Sequence, residues 1–197
     1  MPSLVPSLPP QSRHEPLTTE RLALTPLGSE HAAALFAALH DPSVYAFIPH
    51  NPPRSVAELE ARYRRIARGS GDSGEWWWNW AVAAVERCDA PFGTVELSVT
   101  VRARRAVLGY VFAPHAWGHG FASEASRAAL SYLCERVPGA VVDAFIDTRN
   151  VRSIALIERL GFTRQETLRG ADYFKGATSD ECRYRLANST CASSSSR

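Results

Sequence analysis

The chain lacks several features that would assign it to a common class of protein. Its four cysteines show no C-x-x-C spacing and no nearby histidine pair, so the sequence supports neither a zinc site nor a redox motif. No apolar run approaches the length of a membrane-spanning helix, and prolines interrupt the N-terminus where a signal peptide would be apolar. Scattered thiols are typical of a reducing compartment. We therefore expect a cytoplasmic protein with no bound metal.

A strong excess of charge is also missing. The net charge is +2, which gives no general attraction to nucleic acid or to a membrane surface. Lys175 is the only lysine, so every other basic residue among the 22 is an arginine, and residue type alone cannot rank them as phosphate ligands. We expect no nucleic-acid partner and no membrane partner.

The length and composition fit one globular domain. The chain has 197 residues, of which 45% are hydrophobic and 21% are charged, and this is enough to build a core. Proline and serine dominate the N-terminal end and serine the C-terminal end, as in flexible tails. We therefore expect tails over residues 1–16 and 188–197, and one domain over residues 17–187.

Hydrophobic periodicity predicts alternating strands and helices within the domain. Ser55 and Glu58 form a capping-box pattern, Ser29 is expected to cap the preceding helix, and Gly161 to end the last one. The expected fold class is α/β (α+β), with a mixed, mostly antiparallel central sheet, a parallel β-α-β core and helices on both faces. The expected strands are 21–27, 76–86, 92–102, 105–113, 141–147, 162–168 and 182–186, and the expected helices are 29–40, 55–68, 118–136 and 150–160.

A glycine pair marks the first candidate site. An apolar strand ends at Pro114, and Gly118-x-Gly120 then opens the long helix. Glycines in such a loop allow a positive φ and close approach of an anion to the backbone N–H groups at the helix N-terminus. By itself, the pair is common in turns and does not identify a ligand.

A second motif makes the assignment specific. The segment 109–125, followed by 150–162, resembles the two core motifs of GNAT-superfamily N-acetyltransferases, and it is most similar to the RimJ/RimL branch of ribosomal-protein N-terminal acetyltransferases. The resemblance covers nearly all of residues 18–187 in the order and spacing of elements. It implies the GNAT fold and acetyl-CoA as the acetyl donor.

The resemblance also implies the residues that hold the donor. His115 to Gly120 would bind the pyrophosphate, although His115 stands where the family usually has Gln or Arg. The backbone N–H groups of 116–121 would then hold most of the anion. The end of the preceding strand would splay from its neighbour and pair with the pantetheine arm. The full set of expected donor-binding residues is Val111, Phe112, Ala113, His115, Trp117, Gly118, His119, Gly120, Phe121, Ala122, Asn150 and Ser153.

Two candidate catalytic residues follow. Ser153 is where RimJ/RimL-like enzymes are thought to protonate the departing thiolate, and Ile157 replaces the tyrosine that many other members use. A base must deprotonate the incoming ammonium, because only a free amine attacks a thioester. Glu96 is the favoured base because its apolar neighbours on the strand could raise its pKa. The alternatives are water or one of three other side chains: His115, Asp143 and Asp147.

The acceptor site is expected in two loops, 45–52 and 171–175. Their aromatic and polar side chains suit recognition of an amine or a peptide terminus. The candidate acceptor residues are Tyr45, Phe47, His50 and Tyr173. On the nearby strand, Trp76, Trp78 and Trp80 share one face and Trp77 lies opposite. We expect one of these faces to be core, and the other to line the acceptor site or a homodimer contact.

Together these features predict an acetyl-CoA-dependent N-acetyltransferase. A primary amine would attack directly in a ternary complex, since no cysteine lies in either motif and no G-x-S-x-G elbow occurs. Other nucleotide sites fit poorly, because Ser123 stands at the third glycine of G-x-G-x-x-G. The alternative is a non-catalytic acyl-CoA-binding sensor or scaffold of the same fold. A protein N-terminus, an antibiotic and a metabolite amine all remain possible acceptors.

Overall fold

Periodic apolar residues in this chain build one sheet and the helices that cover it. The computed structural model describes residues 14–72 and 74–187, which contain eight strands and four α-helices. The strands are β1 (Leu17–Thr18), β2 (Leu22–Pro26), β3 (Glu75–Ala84), β4 (Gly93–Thr100), β5 (Arg105–Phe112), β6 (Val141–Asp147), β7 (Thr163–Phe174) and β8 (Ala177–Leu186). The helices are α1 (Ala32–Leu39), α2 (Val56–Ala67), α3 (Phe121–Arg136) and α4 (Val151–Arg159).

The strand order confirms the predicted fold class. The sheet runs β1-β2-β3-β4-β5-β6-β8-β7, and only the β5–β6 pair is parallel. β7 and β8 are longer than expected because they pair as a hairpin around Lys175 and Gly176, both with positive φ. The polar stretch before that turn has no clear alternation, so its strand conformation depends on pairing with β8.

The expected start of α2 is confirmed, and the expected starts of α1 and α3 are corrected. The Ser55 hydroxyl accepts a hydrogen bond from the Glu58 N–H, as the capping box predicts. Ser29 does not cap α1; it begins a short 3-10 turn, Ser29–His31, and the α-helix starts at Ala32. The long helix starts at Phe121 and not at residue 118, because Gly120 takes a left-handed conformation in front of it.

The core confirms one side of the tryptophan pattern. Trp76, Trp78 and Trp80 are buried beneath α3. The Tyr132 ring of α3 meets Trp78 and Trp80 edge-on, at centroid distances of 5.0 and 5.6 Å. α1 and α2 cover the opposite face of β3, where Trp77 is partly exposed. This arrangement leaves helices on both faces of the sheet.

The N-terminal boundary lies earlier than expected. His14 and Glu15, which we assigned to a tail, contact the sheet: the His14 ring packs edge-on against Trp80, and the Trp80 indole donates to the Glu15 carbonyl at 2.8 Å. The remainder of the predicted tails, 1–13 and 188–197, lies outside the described residues. In the part of the chain that the structure describes, no helix is long and apolar enough to cross a membrane.

Candidate active site

The site begins where two parallel strands separate. β5 pairs with β6 only from Arg105 to Val107, and the rest of β5 has no partner in β6. The divergence frees one backbone edge of β5, as the family resemblance implies. A cavity of about 1670 Å³ extends from this free edge to the starts of α3 and α4, with further walls from segments 19–21 and 43–48.

The loop before α3 presents unpaired backbone donors to this cavity. Gly118 and Gly120 both have φ near 79°, which a residue with a side chain rarely adopts. The N–H groups of residues 118–123 have no acceptor among the described residues, and the first bond into α3 is from the Glu124 N–H to the Gly120 carbonyl at 3.0 Å. Unpaired N–H groups at a helix N-terminus attract anions. We call Trp117–Gly120 the anion-binding loop.

The structure shifts the expected set of donors by two residues. The N–H groups of Ala116 and Trp117, expected to contact the pyrophosphate, bond instead to the carbonyls of Ala113 and Pro114. The free N–H groups therefore begin at Gly118 and continue into the first turn of α3. A short 3-10 turn, Pro114–Ala116, causes this shift.

Most of the expected donor-binding residues line the cavity. Ala113, His115 and His119 do not: Ala113 is buried, the His115 ring packs edge-on against Phe92, and the His119 ring stacks on Phe121. His115 is an exposed side chain whose ring lies edge-on to Phe92 at a centroid distance of 6.1 Å. Those that line the cavity are Val111, Phe112, Trp117, Gly118, Gly120, Phe121, Ala122, Asn150 and Ser153.

The start of α4 brings the Ser153 hydroxyl to the cavity. The Asn150 side chain caps the helix by accepting from the Ser153 N–H at 3.2 Å. The Ser153 side chain lines the cavity, where its hydroxyl interacts with the hydroxyl of Tyr110.

Tyr110 is a cavity residue to which sequence reasoning gave no role. Its hydroxyl donates to the Ser153 carbonyl at 3.4 Å, and burial raises the pKa of this phenol to about 12. The signal available in the sequence was its place directly before Val111 in the first motif.

The structure also shows which arginines lie at the cavity without a carboxylate partner among the described residues. The Arg152 guanidinium lies 5.1 Å from the Trp117 ring centroid, against the anion-binding loop. Arg127 and Arg159 line the same cavity from α3 and α4, and none of the three has a carboxylate partner in the described residues. Their positive charge favours an anionic ligand in this cavity.

Glu96 lies on the other face of the sheet, opposite Gly109 of β5. Its carboxylate occupies the space above this glycine: a Cβ added at Gly109 would be 2.5 Å from Glu96 Oε1. Burial raises the pKa of Glu96, and the nearby Arg62 and His50 oppose that rise. The Glu96 side chain is exposed to solvent, although many protein atoms lie around it. The structure therefore brings Glu96 and His50 to the same side of the sheet.

The two aspartates weighed as alternative bases are engaged elsewhere. Asp143 accepts from Arg185 at 2.7 and 2.9 Å, and these bonds lower its pKa. Asp147 accepts from Arg149 and from Ser179; although burial opposes ionisation, these bonds hold its pKa at about 2. Carboxylates held this firmly in the ionised form are poor proton acceptors.

The expected acceptor residues do not all meet. Phe47 lines the cavity, Tyr45 is buried, and Tyr173 is 75% exposed near the end of β7, outside the cavity wall. The β7–β8 hairpin nevertheless reaches this region, because the Lys175 ammonium donates to the carbonyls of Tyr45 and Ile48. The only lysine of the chain thus joins the two loops in which we expected the acceptor site.

Known proteins share this architecture along nearly the full chain. The uncharacterized N-acetyltransferase p20 of Bacillus licheniformis is 28% identical over 173 residues, 87% of this chain and 96% of p20. The FsC-acetyl coenzyme A-N(2)-transacetylase of Aspergillus fumigatus is 28% identical over 164 residues, 77% of this chain and 66% of its own length. Spermidine N-acetyltransferase from Vibrio cholerae, crystallised with CoA and spermine, has the same fold, with a TM-score of 0.73 at 20% identity over 88% of this chain and 99% of that one.

A mixed sheet that splays beside a helix N-terminus is an architecture shared with acetyltransferases, and two curated relatives are acyltransferases by name. The family model for the acetyltransferase (GNAT) domain matches residues 21–163, and the chain therefore belongs to the GNAT acetyltransferase family. Two proteins with this fold have been crystallised with the cofactor, the Microcin C7 self immunity acetyltransferase MccE with acetyl-CoA and the Vibrio cholerae enzyme with CoA. Among the described residues, no group of three or more His, Cys, Asp and Glu side chains could hold a metal ion.

Proposed function

We propose that this protein transfers the acetyl group of acetyl-CoA to a primary amine by direct attack in a ternary complex. The observation that carries the proposal is the free edge of β5, with unpaired N–H groups and Ser153 on one side and the Glu96 carboxylate on the other. In the step, the amine nitrogen bonds to the acetyl carbon and the carbon–sulfur bond breaks. One proton leaves the ammonium before attack, a second leaves the nitrogen during transfer, and one is taken up by the thiolate.

We assign the role of base to Glu96. Its raised pKa suits a carboxylate that must accept a proton near neutral pH. Gly109 has no side chain, so the carboxylate can extend over β5 toward the strand edge where the thioester would lie. The alternatives are less suitable, since Asp143 and Asp147 are paired with arginines and His115 does not line the cavity.

We assign the role of acid to Ser153. Ser153 lines the cavity with its hydroxyl beside the hydroxyl of Tyr110, while its own N–H is bonded to Asn150. Ile157, at the position where many relatives have a tyrosine, is fully buried and offers no proton. The Tyr110 hydroxyl already donates to the Ser153 carbonyl at 3.4 Å.

The acceptor class is a primary amine presented from the Glu96 side of the sheet. The names of two relatives support this class, since one is an N(2)-transacetylase and the other a spermidine N-acetyltransferase. Of the four side chains expected to bind the acceptor, we assign this role to Phe47, which lines the cavity, and to His50, which lies near Glu96. Peptide N-termini, as in the RimJ/RimL branch, remain within this class.

A second candidate is a non-catalytic acyl-CoA sensor or scaffold of the same fold. Two observations favour it: His115 is turned away from the cavity, and Ile157 replaces the usual tyrosine. Turnover separates the two candidates, because a sensor binds acetyl-CoA and transfers nothing. A homodimer and a cytoplasmic location stay predictions from the sequence.

The decisive experiment is a thiol-release assay with acetyl-CoA and a panel of amines: peptides with free N-termini, polyamines and aminoglycosides. We expect the wild type to turn over with at least one amine, and Glu96→Gln and Ser153→Ala to lower kcat by about 100-fold or more. The control is Glu86→Gln, at an exposed glutamate outside the site. Acetyl-CoA binding without transfer to any amine would support the sensor. Full kcat in Ser153→Ala would overturn the assignment of the acid.

A further inference from the structure

Arg21 lies almost 100 residues before the anion-binding loop, yet it contacts three successive residues around its end. Its Nη1 donates to the His119 carbonyl at 3.1 Å, and its Nη2 lies 3.6 Å from the place that a Cβ on Gly120 would take. Its guanidinium lies 4.8 Å from the Phe121 ring centroid. These contacts connect the start of β2 to the end of the loop.

Glu124 holds this guanidinium in place. Its carboxylate, in the first turn of α3, accepts from Arg21 Nε at 2.7 Å, from the Arg21 N–H at 3.1 Å and from the Thr19 hydroxyl at 2.6 Å. Burial opposes ionisation, but the bonds from Thr19 and Arg21 outweigh it and lower the pKa of Glu124. An ionised carboxylate with several donors fixes the arginine geometry more firmly than a single surface ion pair.

The bond to His119 determines which way the loop backbone faces. In a planar trans peptide the carbonyl and the following N–H point in opposite directions. Because the His119 carbonyl is turned to Arg21, the Gly120 N–H points away from the arginine and stays unpaired with its neighbours from 118 to 123. Since Glu124 neutralises the guanidinium, the arginine acts on the loop through geometry more than through its charge.

We propose that Arg21, fixed by Glu124, is a positioning residue that orients the unpaired N–H groups of the loop for the pyrophosphate of acetyl-CoA. This inference rests on the proposed function, since it assigns a role within the same donor site. Arg21 contacts the loop and lines the cavity, whereas His115 does not line it.

The test compares two acetyl donors that share the thioester and the pantetheine arm. Acetyl-CoA carries the pyrophosphate, and S-acetylpantetheine does not. We expect Arg21→Met to lower kcat/KM for acetyl-CoA about tenfold, through KM with kcat unchanged, and to leave S-acetylpantetheine unaffected. Arg21→Lys keeps a cation beside Glu124, but a lysine cannot donate to Glu124 and to the His119 carbonyl in the same geometry. We therefore expect its kcat/KM for acetyl-CoA to lie between those of the wild type and Arg21→Met.

Arg136→Met is the matched control. Arg136 lies at the other end of α3, pairs with Glu15 at 2.8 Å and stacks over Tyr132 at 4.7 Å, so the substitution removes the same kinds of contact far from the loop. This variant should leave both donors unchanged. An equal loss with both donors in Arg21→Met, or an unchanged KM for acetyl-CoA, would overturn the proposal.

Binding separates this proposal from the proposed function. A wild type that transfers no acetyl group would refute the enzyme assignment, yet calorimetric titration with CoA would still test Arg21. We expect about tenfold weaker CoA binding in Arg21→Met, and an unchanged Kd would overturn the positioning role. If Arg21→Met does not fold, Arg21→Lys and Glu124→Gln provide the same measurement.

Discussion

Replacing Gly109 with alanine should move the proposed base without removing it. The added Cβ would lie 2.5 Å from Glu96 Oε1, about 0.9 Å inside the 3.4 Å at which ordinary van der Waals contact begins. Because the nearest atoms belong to one flexible carboxylate side chain, we expect the carboxylate to swing aside and the fold to remain intact. A misplacement of about 1 Å can cost about 100-fold in rate, so kcat should fall by about that factor.

The assay is steady-state thiol release with a saturating amine and varied acetyl-CoA. KM for acetyl-CoA should stay near the wild-type value, because the new methyl group lies on the Glu96 face and not on the face that α3 covers. Gly109→Ala should add nothing in a Glu96→Gln background, since the displaced group is then already missing. A full additional loss in that background would show that alanine disturbs the donor site directly, and it would refute the reasoning.

Four further predictions concern charge, burial and the donor site. Arg62→Met should move the acidic limb of the kcat/KM–pH profile upward, because Arg62 lowers the pKa of Glu96; an unmoved limb would argue against Glu96 as the base. Glu96→Gln should raise the melting temperature at pH 7. Because folding raises the pKa of Glu96, its contribution to stability is full below the unfolded-state pKa and is lost as the pH rises through the folded-state pKa. At pH 7 the ionised carboxylate therefore destabilises the fold, and glutamine removes that charge. Ser126→Ala should add about 1 kcal/mol to the free energy of unfolding, measured by denaturant titration, because the Ser126 hydroxyl is buried and has no hydrogen-bond partner among the described residues. A loss of stability would contradict this. Arg152→Gln should raise KM for acetyl-CoA several-fold at low ionic strength, and the ratio of the variant's KM to the wild-type KM should fall as salt is added. A KM ratio that does not change with salt would indicate lost packing on Trp117 instead of lost charge.

Features that depend on neighbours in the chain were predictable. The Ser55 and Asn150 caps, the left-handed glycine before α3 and the alternating tryptophans of β3 all follow from local geometry. Each involves residues within a few positions of one another. For the same reason, the two motifs could be recognised as segments before their contact was known.

Element ends were less predictable where pairing decides conformation. The outer half of β7 is polar and exposed, and it is a strand because β8 runs beside it. Similarly, the N-terminal segment could not be placed by its composition, since His14 is held by Trp80 and Asn79, about 65 residues away.

The sequence by itself determined the sheet order of the central meander, the glycine loop before a helix and the family of the chain, because these depend on short-range pattern. Only the tertiary structure decided that Arg21 supports this loop, that His115 leaves the cavity and that Glu96 crosses to Gly109. Each of these contacts joins segments that are distant in the chain. Their distances are set by strand register and helix packing, which no local pattern of residues encodes.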